Sequence, residues 1–127
     1  MKINYYCGRG GFMGFSELLK KAENTQEMND WFTKRTKRHI GLVQKYCKKI
    51  YDYDSEKFEG LIERGEIHDQ SKFKDPEIEP YILVAWDYKC KDDGVDPGFS
   101  EEDRDEMNQA TEHHTSINRH HPEYWDK

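Results

Sequence analysis

The apolar residues of this chain recur at three- and four-residue spacing and almost never alternate, which restricts it to helices packed on helices. Phe32, Thr36, His39, Val43, Cys47 and Ile50 share one stripe of a helix expected over residues 27–51. Ser55 is placed to cap a second helix, with Phe58, Leu61 and Ile62 inward, until Gly65 interrupts it. Asp75-Pro76 reads as the start of a third, which carries Ile78, Tyr81, Ile82, Val84, Ala85 and Tyr88, with Pro80 in its first turn. After a loop over 91–99, Ser100 and Asp103 resemble a capping box opening a last helix that runs to about residue 119. Met107, Ala110, Thr111, His114 and Asn118 line one side of it. Pro122 disfavours helix at His121, and the aromatic tail Tyr124-Trp125 is expected to pack back.

The expected fold is therefore all-α: a compact single-domain helical bundle over residues 29–127. Residues 1–28 precede it as a short Gly-rich N-terminal arm, extended over 2–6 and helical over about 16–22. The glycines of the arm do not match GxGxxG spacing, and no βαβ pattern surrounds them. The core must be unusual. Leu, Ile, Val and Phe make up only 22 of 127 residues, a share found in disordered chains, whereas 13% aromatic residues supply the bulk that such chains lack.

Charge and cysteine usage narrow the function classes. The chain carries 20 Lys/Arg against 26 Asp/Glu, and an acidic chain is a poor binder of duplex nucleic acid. The basic residues concentrate before residue 53, including the run Lys34, Arg35, Lys37 and Arg38, which reads as a solvated helix face more readily than as a phosphate-binding patch. No apolar run is longer than residues 81–86, so no membrane partner is expected. No leader pattern opens the chain, and Cys7, Cys47 and Cys90 form no CxxC pair, which fits a reduced, cytoplasmic protein.

The chemistry is concentrated in six histidines: His39, His68, His113, His114, His120 and His121. Four fall within nine residues, one more sits on the apolar stripe of the first helix, and the last adjoins Asp69. Imidazole and carboxylate together suit a divalent transition metal such as Mn, Fe, Co, Ni or Zn, provided that the helices bring them together. Taken singly, a histidine on an apolar face is more often a hydrogen-bonded core residue than a ligand, and an HH pair is often a surface feature. The grouping of all six carries the metal reading.

A histidine on one helix, an adjacent His-Asp on the next and further ligands on a later helix resemble the HD-domain metal-dependent phosphohydrolases. The segments His68-Asp69-Gln70-Ser71-Lys72-Phe73, Glu77 with Pro80-Tyr81, and His113-His114, Asn118 and His120-His121-Pro122-Glu123-Tyr124-Trp125 look more closely like an uncharacterised family of small bacterial and phage proteins with an HD-like core. This resemblance covers about residues 29–126.

The resemblance implies that His39, His68 and Asp69 are metal ligands. His113 and His114 would stand where HD enzymes usually place a late Asp, which is missing here, and His120 or His121 would serve a second ion. It further implies catalytic roles for Asp69, for Glu77 as the group that orients or deprotonates a water, and for Lys72. Lys72 and Arg119 would contact phosphate, and Asn118 a ligand or substrate oxygen. The function implied is metal-dependent hydrolysis of a nucleotide or other phosphate ester, in a host cytoplasm if the protein is phage-encoded. Two alternatives stand beside it. One is a non-catalytic metal- or nucleotide-binding protein on the same scaffold, of use to a phage in counter-defence. The other is a helical protein with histidine-rich polar packing and no metal.

Overall fold

Residues 24–126 are described in the computed structural model. The Gly-rich arm, the extended residues 2–6, the helix expected over 16–22 and Cys7 lie outside the described residues. Among the described residues, four α-helices follow one another: α1 (Gln26–Tyr53), α2 (Leu61–Ile67), α3 (Ile78–Asp93) and α4 (Glu101–Ile117). Two 3-10 turns, Gln70–Phe73 and Pro122–Tyr124, follow α2 and α4. No strand occurs among the described residues, and none of these helices is long and apolar enough to cross a membrane.

Local chemistry fixes most of the helix ends. Thr25 caps α1 by accepting from the Met28 N–H (3.2 Å). At α4, Ser100 accepts from Asp103 N (3.1 Å) and Asp103 returns the bond to Ser100 N (2.9 Å), so the expected box forms with the shorter carboxylate. Gly94 closes α3 in the left-handed conformation (φ 69°), with its N–H reaching Cys90 and Lys91 carbonyls. α3 thus extends three residues into the segment expected to be loop.

The core is small and lies between α1, α3 and α4. Met28 and Phe32 of α1 meet Tyr81, Ile82, Leu83 and Ala85 of α3, Phe99 of the connecting loop, and Met107 and Ala110 of α4. Asp87, buried on α3, ties it to α4 through Arg104 (3.2 Å) and also pairs with Lys91 (3.0 Å).

Five local expectations are corrected. The buried row of α1 is Met28, Phe32, Thr36 and Ile40, so His39 lies at the exposed edge, and Ile50 is exposed because α1 outruns the core. Residues 55–60 form turns begun by Asp54, which accepts from Lys57 N, and α2 starts only after Gly60, whose φ is 83°. Gly65 does not interrupt α2. It is buried within the helix, and a Cβ there would stand 3.2 Å from Cys47 Cβ and 3.3 Å from its Sγ, so glycine allows α2 to lie close against α1. α3 begins at Ile78 rather than at Pro76, because Lys74 O accepts from Glu77 N and Ile78 N in a turn that delivers Glu77 inward. α4 likewise ends at Ile117, two residues early, where Asn118 leaves helical geometry. The tail turns back through a bond from Trp125 Nε1 to Arg119 O (2.9 Å), although the Trp125 ring stays exposed.

Candidate metal centre

Asp69 is the hub. It follows α2 in a left-handed backbone conformation (φ 57°) that Asp and Asn tolerate better than other side-chain-bearing residues, and its carboxylate is almost wholly buried. The turn points the two oxygens in different directions. Oδ2 faces His39 Nε2 (3.3 Å), His68 Nε2 (3.4 Å) and Lys72 Nζ (3.1 Å). Oδ1 faces His114 Nε2 (3.1 Å) and His120 Nε2 (3.0 Å). His39 and His68 present their Nε2 atoms to one another at 3.0 Å. Two donor groups thus share one carboxylate: His39, His68 and Asp69, and Asp69, His114, His120 and His121.

Two properties bear on whether this cluster could hold an ion. First, Asp69 Oδ1 and His114 Nε2 are both buried and 3.1 Å apart, and with the His114 proton on Nδ1 toward Glu77 neither atom has a hydrogen-bond partner. Buried polar atoms almost always find partners, so this pair is aimed at something else. Second, an ion that holds two donors at about 2.1 Å sets them roughly 3.0–3.4 Å apart at octahedral or tetrahedral angles. The donor separations here, 3.0, 3.1, 3.3 and 3.4 Å, span that interval. The residues fit a divalent ion.

Behind the donors lies a supporting layer. Glu77 is fully buried and sits between the two histidines of α4: Oε1 is 2.8 Å from His114 Nδ1, and Oε2 is 2.7 Å from His113 Nδ1. Ser71 also donates to Glu77 Oε1 (3.1 Å) and accepts from Asn118 Nδ2 (3.0 Å), which in addition donates to His114 O (2.8 Å). The carboxylate fixes the Nδ1 proton of His114 and leaves Nε2 as a lone pair toward Asp69.

The electrostatics favour charged oxygen and neutral nitrogen. Burial alone would raise the Asp69 pKa, but a hydrogen bond that His114 Nε2 can donate in the metal-free protein, together with the charge of Lys72, outweighs it and holds the carboxyl well below the usual range. Burial lowers His68, and lowers His120 to about 4 with help from His68, so both imidazoles are unprotonated near neutral pH, the form that binds metal. Burial also pushes Tyr81, whose ring edge meets His114, up to about 12, which keeps its hydroxyl protonated.

The sequence-expected residues thus divide. His39, His68, Asp69, His114, His120 and His121 converge. His113, Glu77 and Asn118 do not join the donors but hold them in place. Lys72 reaches Asp69 and lines a cavity of about 380 Å³ that opens beside His39. Arg119 lines a different, largely apolar cavity with His68 and His120 and lies against the Trp125 ring. Ser71 was given no role by the sequence. Its position in the 3-10 turn two residues after Asp69 was the available signal.

Residues 28–127 match a protein-family model described as "Family of unknown function (DUF5662)". No curated protein and no solved structure matches the chain.

Proposed function

The chain belongs to that family of unknown function, and because the family brings no activity with it, we propose from the chemistry of the centre alone that the protein is a divalent-metal-dependent phosphohydrolase acting on a nucleotide or other phosphate ester. The observation that carries this reading is the buried, unbonded pair of Asp69 Oδ1 and His114 Nε2 at the meeting point of four further imidazoles. The order of donors along the chain, a histidine on one helix and His-Asp after the next, supports an HD-like arrangement with histidines in place of the late Asp. The small bacterial or phage setting suggested by the motifs belongs to the same reading.

When bound, a divalent ion lowers the pKa of a water and polarises a phosphoryl oxygen. His39, His68 and Asp69 would hold one ion, and His114 and His120, with His121 beside them, offer donors on the other oxygen of Asp69 for a second. The remaining residues have separable tasks. Asp69 stays ionised, which draws a cation into a buried site. Lys72, fixed against Asp69 and 5.1 Å from the centre of the Tyr81 ring, presents positive charge at the cavity mouth, where phosphate oxygens accumulate charge. Glu77, engaged by His113, His114 and Ser71, orients His114 and takes no proton from water. His39, the most exposed donor, stands at the rim where the substrate enters.

The test is metal analysis of the untagged protein after Mn, Ni or Zn supplementation, followed by a panel of nucleotides and phosphate esters. About one ion per chain or more is expected, lost in D69N. Asparagine is the suitable replacement because it accepts the left-handed backbone of position 69. Less than about 0.1 ion per chain would remove the reading. Full loading with tight nucleotide binding but no turnover would replace it with the non-catalytic alternative.

A further inference from the structure

The run Lys34, Arg35, Lys37 and Arg38 is not absorbed by the metal centre. In this acidic protein four cations of the helices are matched to carboxylates: Lys48 to Asp52, Lys89 to Asp93, Lys91 and Arg104 to Asp87. Among the described residues, no carboxylate pairs with Lys34, Arg35 or Arg38. These three instead line one cavity of about 510 Å³ with Trp31, His39 and Leu42. Arg35 and His39 also line the cavity that holds Lys72, so the two spaces adjoin along α1. The guanidinium of Arg35 is held 4.9 Å from the centre of the Tyr88 ring, at the junction. Trp31 lines the same cavity, with its indole N–H buried and unpartnered and Lys89 Nζ 5.5 Å from the centre of its ring. From His39 to Trp31 is eight residues, or about 12 Å of helix.

Resting on the phosphohydrolase reading, we propose that this basic face of α1 is a second anion subsite, and that the substrate is a nucleotide carrying two separate phosphate groups. One phosphate sits at the Lys72 and His39 end, beside the metal centre. The other is held by Lys34, Arg35 and Arg38, and the flat side chain of Trp31 offers a surface for the base. A free phosphate monoester fills only the first position. Guanidinium groups suit the second because they bind phosphate oxygens in a bidentate fashion and stay charged at all relevant pH.

The experiment is isothermal titration of the metal-loaded full chain with two probes, adenosine 5′-monophosphate and adenosine 3′,5′-bisphosphate. The bisphosphate is expected to bind about tenfold tighter or better, as added charge-assisted contacts imply. The double substitution K34Q/R38Q is expected to bring the ratio of the two affinities toward one. K37Q, which removes the same kind of charge from a position that does not line the cavity, is expected to leave the ratio at its wild-type value. D69N separates this inference from the metal reading: if the ratio persists while D69N changes neither affinity, the subsite stands and the metal reading fails. Equal affinity for the two probes, no binding of either, or an equal loss in K37Q and K34Q/R38Q overturns the subsite.

Discussion

His114 and Glu77 meet across 2.8 Å in the interior, with the histidine Nδ1 against a carboxylate that has no exposure to solvent. That contact decides which nitrogen of His114 carries its proton, and with it whether Nε2 can serve Asp69 and a metal. Exchanging Glu77 for Gln keeps the shape but removes the charge that fixes the tautomer. E77Q is expected to fold and to lose roughly 10- to 100-fold in metal affinity, the usual effect of disturbing the group behind a ligand. Competition with a metal-responsive dye would measure it, and unchanged affinity would show that Glu77 does not orient the centre.

The two histidines of the His113-His114 pair should behave differently. His113 turns to Glu77 and contributes no donor to the cluster, whereas His114 does. H113N is expected to keep the wild-type number of ions per chain, with a modest loss of affinity through Glu77. H114N is expected to lower the stoichiometry itself. Metal analysis of both variants after identical loading distinguishes them, and a matching loss in the two would mean that His113 is also a ligand.

Metal should stabilise the fold. A core with so few aliphatic residues gains from an ion that binds only the folded chain, by about 2.7 kcal/mol at a hundredfold excess over Kd, or roughly 10 °C in Tm for a domain of this size. Chelator should reverse the gain, and D69N should show none. Thermal melts with and without metal are sufficient, and a shift retained in D69N would place the binding elsewhere.

The metal-free protein should lose stability in mild acid. His120 is lowered to about 4, and His68 is lowered as well, both chiefly by burial, while both groups titrate near 6.5 when the chain is unfolded. Between those values the unfolded chain binds protons that the folded chain does not. Stability is therefore fully present above pH 6.5 and drains as pH falls toward 4. The depressed Asp69 acts in a lower window, beneath its ordinary 3.8, and does not offset this loss. Urea unfolding in chelator at several pH values would trace the decline, and H120N should flatten it. A slope identical in H120N would assign the pH dependence to other groups.

What could be read from the sequence was local or periodic. The Ser100–Asp103 box was legible because both partners lie within one turn. The all-helical class followed from spacing, and the joint placement of His39, His68-Asp69 and the late histidines followed from their grouping. Contacts between distant segments were not legible. Nothing near Glu77 tells that it will be enclosed by His113 and His114, 36 and 37 residues away. The identity of the buried row on α1 depended on where α3 packs, which moved His39 to the edge and Ile40 to the interior. The basic run looked like solvated surface because sequence shows neither the cavity beside it nor the want of matching carboxylates.

Gly65 offers the sharpest test of how the helices set the centre. Alanine has a better helix propensity than glycine by about 1 kcal/mol, so on an isolated helix G65A would be stabilising. In the packed protein its Cβ would stand 3.2 Å from Cys47 Cβ and 3.3 Å from Cys47 Sγ. That Cβ belongs to a helix and has little freedom to retreat, so α2 must move away from α1. Overpacking of this kind typically costs about 1–3 kcal/mol, which outweighs the propensity gain. G65A is therefore expected to be less stable in urea. Because α2 carries His68 and Asp69 at its end while α1 carries His39, the same shift should widen the donor group and weaken metal binding. Adding C47A removes only the Sγ contact and should restore part of the stability. A stabilised G65A protein with wild-type metal affinity would show that α2 is free to move without disturbing the site.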